Sequence, residues 1–196
     1  MNARFKLLAV LCAVLLCGAF AFAGTVNFEG YSCGQDVDSL YPGVTFQNAQ
    51  FLYLSQGCLS SSFPPHSGDG VGFDAGSPIV ATFGSAASNV SVFFTTNDNF
   101  FLEAFNSNGN LLATYSFAGC NFVGCGSGIP PNQLASVSGS NIAYVEMFSS
   151  DGPDSFTIDD FSWTNGGGGV PEPASLFLLG SGLLGLGGVA RKFKKV

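Results

Sequence analysis

Histidine occurs once, at His66, with Ser67 beside it and Asp69 two residues further on, inside Ser62-Phe63-Pro64-Pro65-His66-Ser67-Gly68-Asp69-Gly70. A hydroxyl, an imidazole and a carboxylate are the parts of a nucleophilic triad. Neighbours within one short loop seldom reach the geometry that a triad needs, so the stretch reads as a turn-rich loop. Glycoside hydrolysis asks for less, only two carboxyl groups flanking the scissile bond. Glu103 and Glu146 are such a pair in principle, but twelve acids in the body of the chain produce many accidental pairs and nothing in the sequence singles this one out. No catalytic residue is assigned, and the chain reads as a non-enzyme.

Sugar binding needs an aromatic ring to stack on and polar groups to meet hydroxyls. Trp163 or Tyr31, Tyr41 and Tyr53 offer the ring, and Asn97, Asp98 and Asn99 offer polar partners at a loop tip. The competing reading has Trp163 finishing the last strand and packing. Ice binding is disfavoured because no regular threonine repeat supplies a flat, periodic face.

The charge pattern excludes more. All six basic residues are terminal (Arg4, Lys6, Arg191, Lys192, Lys194 and Lys195), while twelve of the thirteen acids fall between Gly24 and Gly169. A body without cations cannot neutralise phosphates, which argues against a nucleic-acid partner. Its carboxylates must stay hydrated, accept backbone hydrogen bonds or bind an external cation.

Two terminal segments stand apart from the fold. Residues 1–23 have a basic start, an apolar run from Leu7 to Phe20 and an Ala21-Phe22-Ala23 cleavage pattern, which reads as a signal peptide for secretion. Lipoprotein processing at Cys17 is disfavoured by the bulky Leu16. Cleavage after Ala23 leaves Cys33, Cys58, Cys120 and Cys125, an even number that points to disulfides in an exported chain. Three pairings are possible. Proximity in sequence favours Cys33 with Cys58 and Cys120 with Cys125, and a zinc site is weak because no C-x2-C spacing occurs.

Residues 24–165 must position whatever site exists. Candidate strands lie at Thr25–Phe28, Val44–Phe46, Gln50–Leu54, Ile79–Phe83, Asn89–Thr95, Phe100–Phe105, Leu111–Phe117, Ile142–Phe148 and Ser155–Trp163. The Asn108-Gly109 pair marks a hairpin turn. Short strands at even spacing predict an all-β antiparallel sandwich, with sixteen phenylalanines between Gly24 and Gly169 as its core material. Gly166–Gly169 then forms a flexible linker.

The end of the chain, residues 170–196, reads VPEPASLFLLGSGLLGLGGVARKFKKV. Ala174 to Ala190 is seventeen residues without charge, about 26 Å as a helix, just short of a bilayer's hydrocarbon core. Basic residues follow, and Pro171-Glu172-Pro173 precedes it as extended, accessible backbone. The three parts in this order resemble the PEP-CTERM sorting signal of exported bacterial proteins. The resemblance implies an exosortase-type membrane protease as partner, a transmembrane intermediate at the inner membrane, and delivery to the cell surface or extracellular matrix in hosts that make extracellular polysaccharide. The same tail occurs on some ice-binding proteins.

Asn27-Phe28-Glu29-Gly30, Tyr41-Pro42-Gly43-Val44-Thr45-Phe46 and Phe156-Thr157-Ile158-Asp159-Asp160-Phe161 resemble boundary strands of jelly-roll modules of the carbohydrate-binding or galactose-binding-like type. The first and last strands of those modules often share a structural Ca2+. Carried over, the resemblance implies Glu29 and Asp160 as ligands, with Asp159 the alternative. The expectation is thus an exported, structural or adhesive β-sandwich, with binding of extracellular polysaccharide as the second reading.

Overall fold

The computed structural model describes residues 23–166. Residues 1–22, read from sequence as most of a signal peptide, residues 167–169, read as linker, and the tail 170–196 lie outside the described residues. Nine strands follow in order: β1 Ala23–Val26, β2 Val44–Gln47, β3 Ala49–Tyr53, β4 Gly70–Asp74, β5 Ile79–Thr96, β6 Phe100–Phe105, β7 Leu111–Phe117, β8 Gln133–Ser149 and β9 Phe156–Asn165. All pairings are antiparallel.

The two long strands, β5 and β8, build a sandwich from one continuous sheet. Inward residues of β5 are odd-numbered through Ile79, Ala81 and Phe83, then even-numbered through Val90, Val92 and Phe94. The phase changes where the β5–β8 register slips, between Thr82 and Asn89. A bulge adds a residue, bends the strand and re-aims every side chain beyond it. Below the bend, β5 pairs with β2 and β8, and β8 continues to β6 and β7. Above it, β5 lies between β8 and β9, with β1, β4 and β3 beyond β9.

Aromatic contacts join these two layers. Phe94 of the upper layer stacks on Phe100 of the lower at 4.1 Å between ring centroids, Phe100 meets Phe156 edge-on at 5.2 Å, and Phe46 meets Phe161 at 5.2 Å. Phe28, Phe46, Phe51, Phe94, Phe100, Phe156 and Phe161 are fully buried. Each stabilises by about 1.5–3 kcal/mol on burial, with edge-to-face geometry adding to it.

The sequence reading hides three features. Strand β4 falls where only turn signals stand, because two of its five residues are glycine. A Cβ on Gly72 would lie 2.7 Å from the Phe28 ring, so close packing needs the glycine. The first half of β8 is serine-rich yet paired, and Gly84 to Ser88 is a bent strand rather than a turn.

One bridge forms as expected, Cys33–Cys58, tying the loop after β1 to the β3–β4 connection. The second expected bridge is corrected: Cys120 and Cys125 are free thiols, Cys120 donating to the Cys125 carbonyl at 3.7 Å and Cys125 to the Ser127 hydroxyl at 3.1 Å. Non-covalent contacts shape their loop instead. Buried Asn121 accepts from the Thr96 N–H at 2.6 Å and donates to the Phe94 carbonyl at 3.1 Å, and Phe122 stacks on Phe63.

Candidate functional site

Strand β6 reads Phe100-Phe101-Leu102-Glu103-Ala104-Phe105, with the even residues buried and the odd ones half-exposed. Its partner β8 buries Val145, Met147 and Ser149 and leaves Tyr144, Glu146 and Phe148 on the same outer face. Antiparallel register then sets Phe101 opposite Phe148, Glu103 opposite Glu146, and Phe105 opposite Tyr144. Phe101 and Phe148 stack at 5.0 Å and 18°, and Phe105 and Tyr144 at 5.0 Å and 9°. The result is a glutamate pair bracketed by two aromatic pairs on an open face.

Residues two apart on a strand are separated by roughly 6.7 Å, so the aromatic pairs stand about 13 Å apart. Thr114 and Val80 extend the glutamate row on either side, and Thr82 and Thr45 extend the Tyr144 row. Like charges directly opposite in a sheet destabilise it. No lysine or arginine occurs between residues 24 and 169, and the one ion pair among the described residues is elsewhere. The sequence pair Glu103 and Glu146 is therefore brought together, on a flat face rather than in a cleft.

The carboxylates expected at the strand boundaries have another task. Phe28 and Asp160 both sit at positive φ, 55° and 44°, and the β5–β9 register slips between Ser91 and Phe93. This irregularity turns Asp159 inward and Asp160 toward the 66–70 segment. Asp160 accepts from His66 Nδ1 at 2.7 Å and from the Ser67 hydroxyl at 2.9 Å, while Asp159 accepts from the Ser67 N–H at 2.8 Å. Glu29 Oε1 accepts from the Asp69 and Gly70 N–H groups, both at 2.7 Å. Gly68, at φ +61°, passes so close to Glu29 that any side chain would overlap the carboxylate.

The three acids thus latch one loop to β9 and to the segment that follows β1. Burial pushes Asp159 up to about 6, against the pull of backbone N–H groups from Ser67 and Asp160. Among the described residues, no group of three or more His, Cys, Asp or Glu is arranged to hold a metal ion. Glu29, Asp159 and Asp160 are engaged by hydrogen-bond donors from the 66–70 segment and the Asp160 N–H.

His66 stacks on Phe93 at 3.5 Å, and Asp69 binds the Ser55 backbone N–H and hydroxyl. Asp160, not His66, is the hub between Ser67 and the imidazole, so the imidazole does not take the hydroxyl's proton as a triad requires. Of the two readings of Trp163, packing at the end of the last strand is the one observed. Trp163 is 3% exposed and packs near Phe83 and Phe161; Tyr53 is buried, and Tyr31 and Tyr41 pack around Phe51. Asn97 to Asn99 lie at the β5–β6 turn, where Asp98 accepts from the Ser150 hydroxyl and Asn99 from the Gly119 N–H.

The pattern of the PEP-CTERM protein-sorting motif matches residues 169–192. The tail is a PEP-CTERM sorting signal. The chain is accordingly an exported protein, and the Pro171-Glu172-Pro173 stretch is part of the matched segment. No curated protein matches the chain by sequence.

Solved structures similar to its folded part include the K2 cleaved adhesin domain of Lys-gingipain, at 14% identity and TM-score 0.49, covering 74% of this chain and 98% of that one. The carbohydrate-binding module CsCBM6-3 from Clostridium stercorarium, in complex with cellobiose, has 14% identity and TM-score 0.38 over 72% and 98%. The CBM22-1 xylan-binding domain from Paenibacillus barcinonensis Xyn10C has 10% identity and TM-score 0.39 over 76% and 97%. Likenesses this remote carry no argument about ligand or site.

Proposed function

We propose that this exported protein is an adhesive component of the cell surface or extracellular matrix that binds polysaccharide through the outer face of β6 and β8. One observation carries the reading: two stacked aromatic pairs flank two unpaired glutamates on an exposed sheet face. Aromatic rings offer apolar area for sugar rings, and carboxylates accept from hydroxyl groups. Such a face is costly in stability, which is the mark of a site rather than of packing. The Glu103–Glu146 pair lies on an open surface that does not enclose a glycosidic bond, so the activity is binding without turnover.

A glycan array with the mature protein tests this. Binding of extracellular polysaccharide is expected, weakened about tenfold by Phe101→Ala or Tyr144→Ala. Release of new reducing ends would revive a hydrolase. A blank array would remove the carbohydrate reading and leave a purely structural matrix role.

Processing of the tail by an exosortase-type protease belongs to the same proposal. The intact mass of protein taken from the cell surface is expected to lack Arg191 to Val196; their retention would make the tail a lasting anchor. The carboxylates Glu29, Asp159 and Asp160 act as the loop latch, and the Ca2+ implied by the jelly-roll resemblance is tested by melting with and without EDTA. An unchanged midpoint is expected, and a lower midpoint in EDTA would restore the metal.

A further inference from the structure

We infer that the β6–β8 face selects a polysaccharide carrying protonated amines, a partly or wholly de-N-acetylated amino-sugar polymer. This inference rests on the polysaccharide-binding reading and names the class of ligand. Glu103 and Glu146 stand directly opposite each other at the centre of the face. Their neighbours along the row are Thr114 and Val80, neither able to offset charge. The folded body contains no lysine or arginine, and its single histidine is bound to Asp160. The missing positive charge must therefore come from outside.

An ammonium placed between the two carboxylates removes their mutual repulsion and donates charge-assisted hydrogen bonds from its three N–H groups to both acids. The bracketing rings add apolar area for the sugar that carries it. A neutral glycan leaves the repulsion in place. A basic peptide meets the charge but leaves the two flat aromatic pairs, about 13 Å apart, without planar partners on both sides.

The test uses the mature protein with glucosamine hexamer, its fully N-acetylated counterpart and oligolysine of equal charge, in mildly acidic buffer where the amines are charged. Wild type is expected to bind the glucosamine hexamer about tenfold tighter than the acetylated one, with a preference that shrinks as salt rises. The double variant Glu103→Gln/Glu146→Gln is expected to lose that preference, with the larger loss of affinity on the glucosamine hexamer. A melt confirms that the variant is folded. Equal binding of both hexamers by wild type would overturn the inference while leaving the polysaccharide reading intact. A preference unchanged in the double variant, or oligolysine binding as tightly as glucosamine, would overturn it as well, by assigning the amine to the general acidic surface. Binding of neither hexamer would remove both the inference and the reading beneath it.

Discussion

Single buried polar residues set how this protein responds to its medium. Tyr53, buried beneath Phe28, donates its hydroxyl to the Phe28 carbonyl at 2.8 Å and accepts from the Tyr31 N–H at 3.0 Å. Tyr53→Phe leaves both groups unpaired and is expected to cost about 1–3 kcal/mol in a denaturant melt. Asp74 is fully buried, with neither carboxylate oxygen in a hydrogen bond. Burial first, and the charge of Asp154 second, push it from 3.8 up to about 7. The folded state therefore holds protons on Asp74, and on Asp159 near pH 6, that the unfolded chain has released. That contribution is complete below about pH 4 and is lost as pH rises through 6 and 7. The midpoint of melting is expected to fall between pH 5 and pH 8, and Asp74→Asn to flatten the slope. At this scale the sequence singled out Glu29, Asp159 and Asp160 only as Ca2+ ligands implied by a resemblance, and their hydrogen-bond partners were not readable from it. The donors they bind come from a loop whose docking depends on two residues at positive φ.

At the scale of strands, alternation was the most readable signal. β6 and β7 have the boundaries that the sequence predicts, because each is a clean run between Asn- and Gly-rich turns. The parity of Phe101, Glu103 and Phe105 with Tyr144, Glu146 and Phe148 was available in the same strings, and it marks two outward rows. Missing was the pairing of β6 with β8 across 27 intervening residues, which no local pattern encodes. Strand β4 and the start of β8 escaped because glycine and serine carry little strand propensity, and tertiary pairing overrides it. Because like charges face each other across β6 and β8, Glu146→Gln is expected to raise stability by about 0.2–1 kcal/mol, measured as a higher melting midpoint. A lower midpoint would show that the pair is satisfied in some other way.

For the molecule as a whole, one disulfide spans 25 residues between the first loop and the β3–β4 connection. Closing a loop of that size restricts the unfolded chain, and Cys33→Ser/Cys58→Ser is expected to cost about 2–4 kcal/mol. An acidic body with all its cations at the two ends suits an exported life among polymers rather than one among nucleic acids. Export was legible from the tail, since a sorting signal is read as a linear string. The binding face was not, since it exists only after two distant strands are set in register. Amide chemical-shift mapping of the mature protein, titrated with an amino-sugar oligosaccharide, tests that face most directly. Shifts are predicted to concentrate on residues 101–105 and 144–148, fading when Phe101 and Tyr144 are replaced by alanine. Shifts centred on the Asn97–Asn99 turn or on the His66 loop, with β6 and β8 silent, would contradict the account.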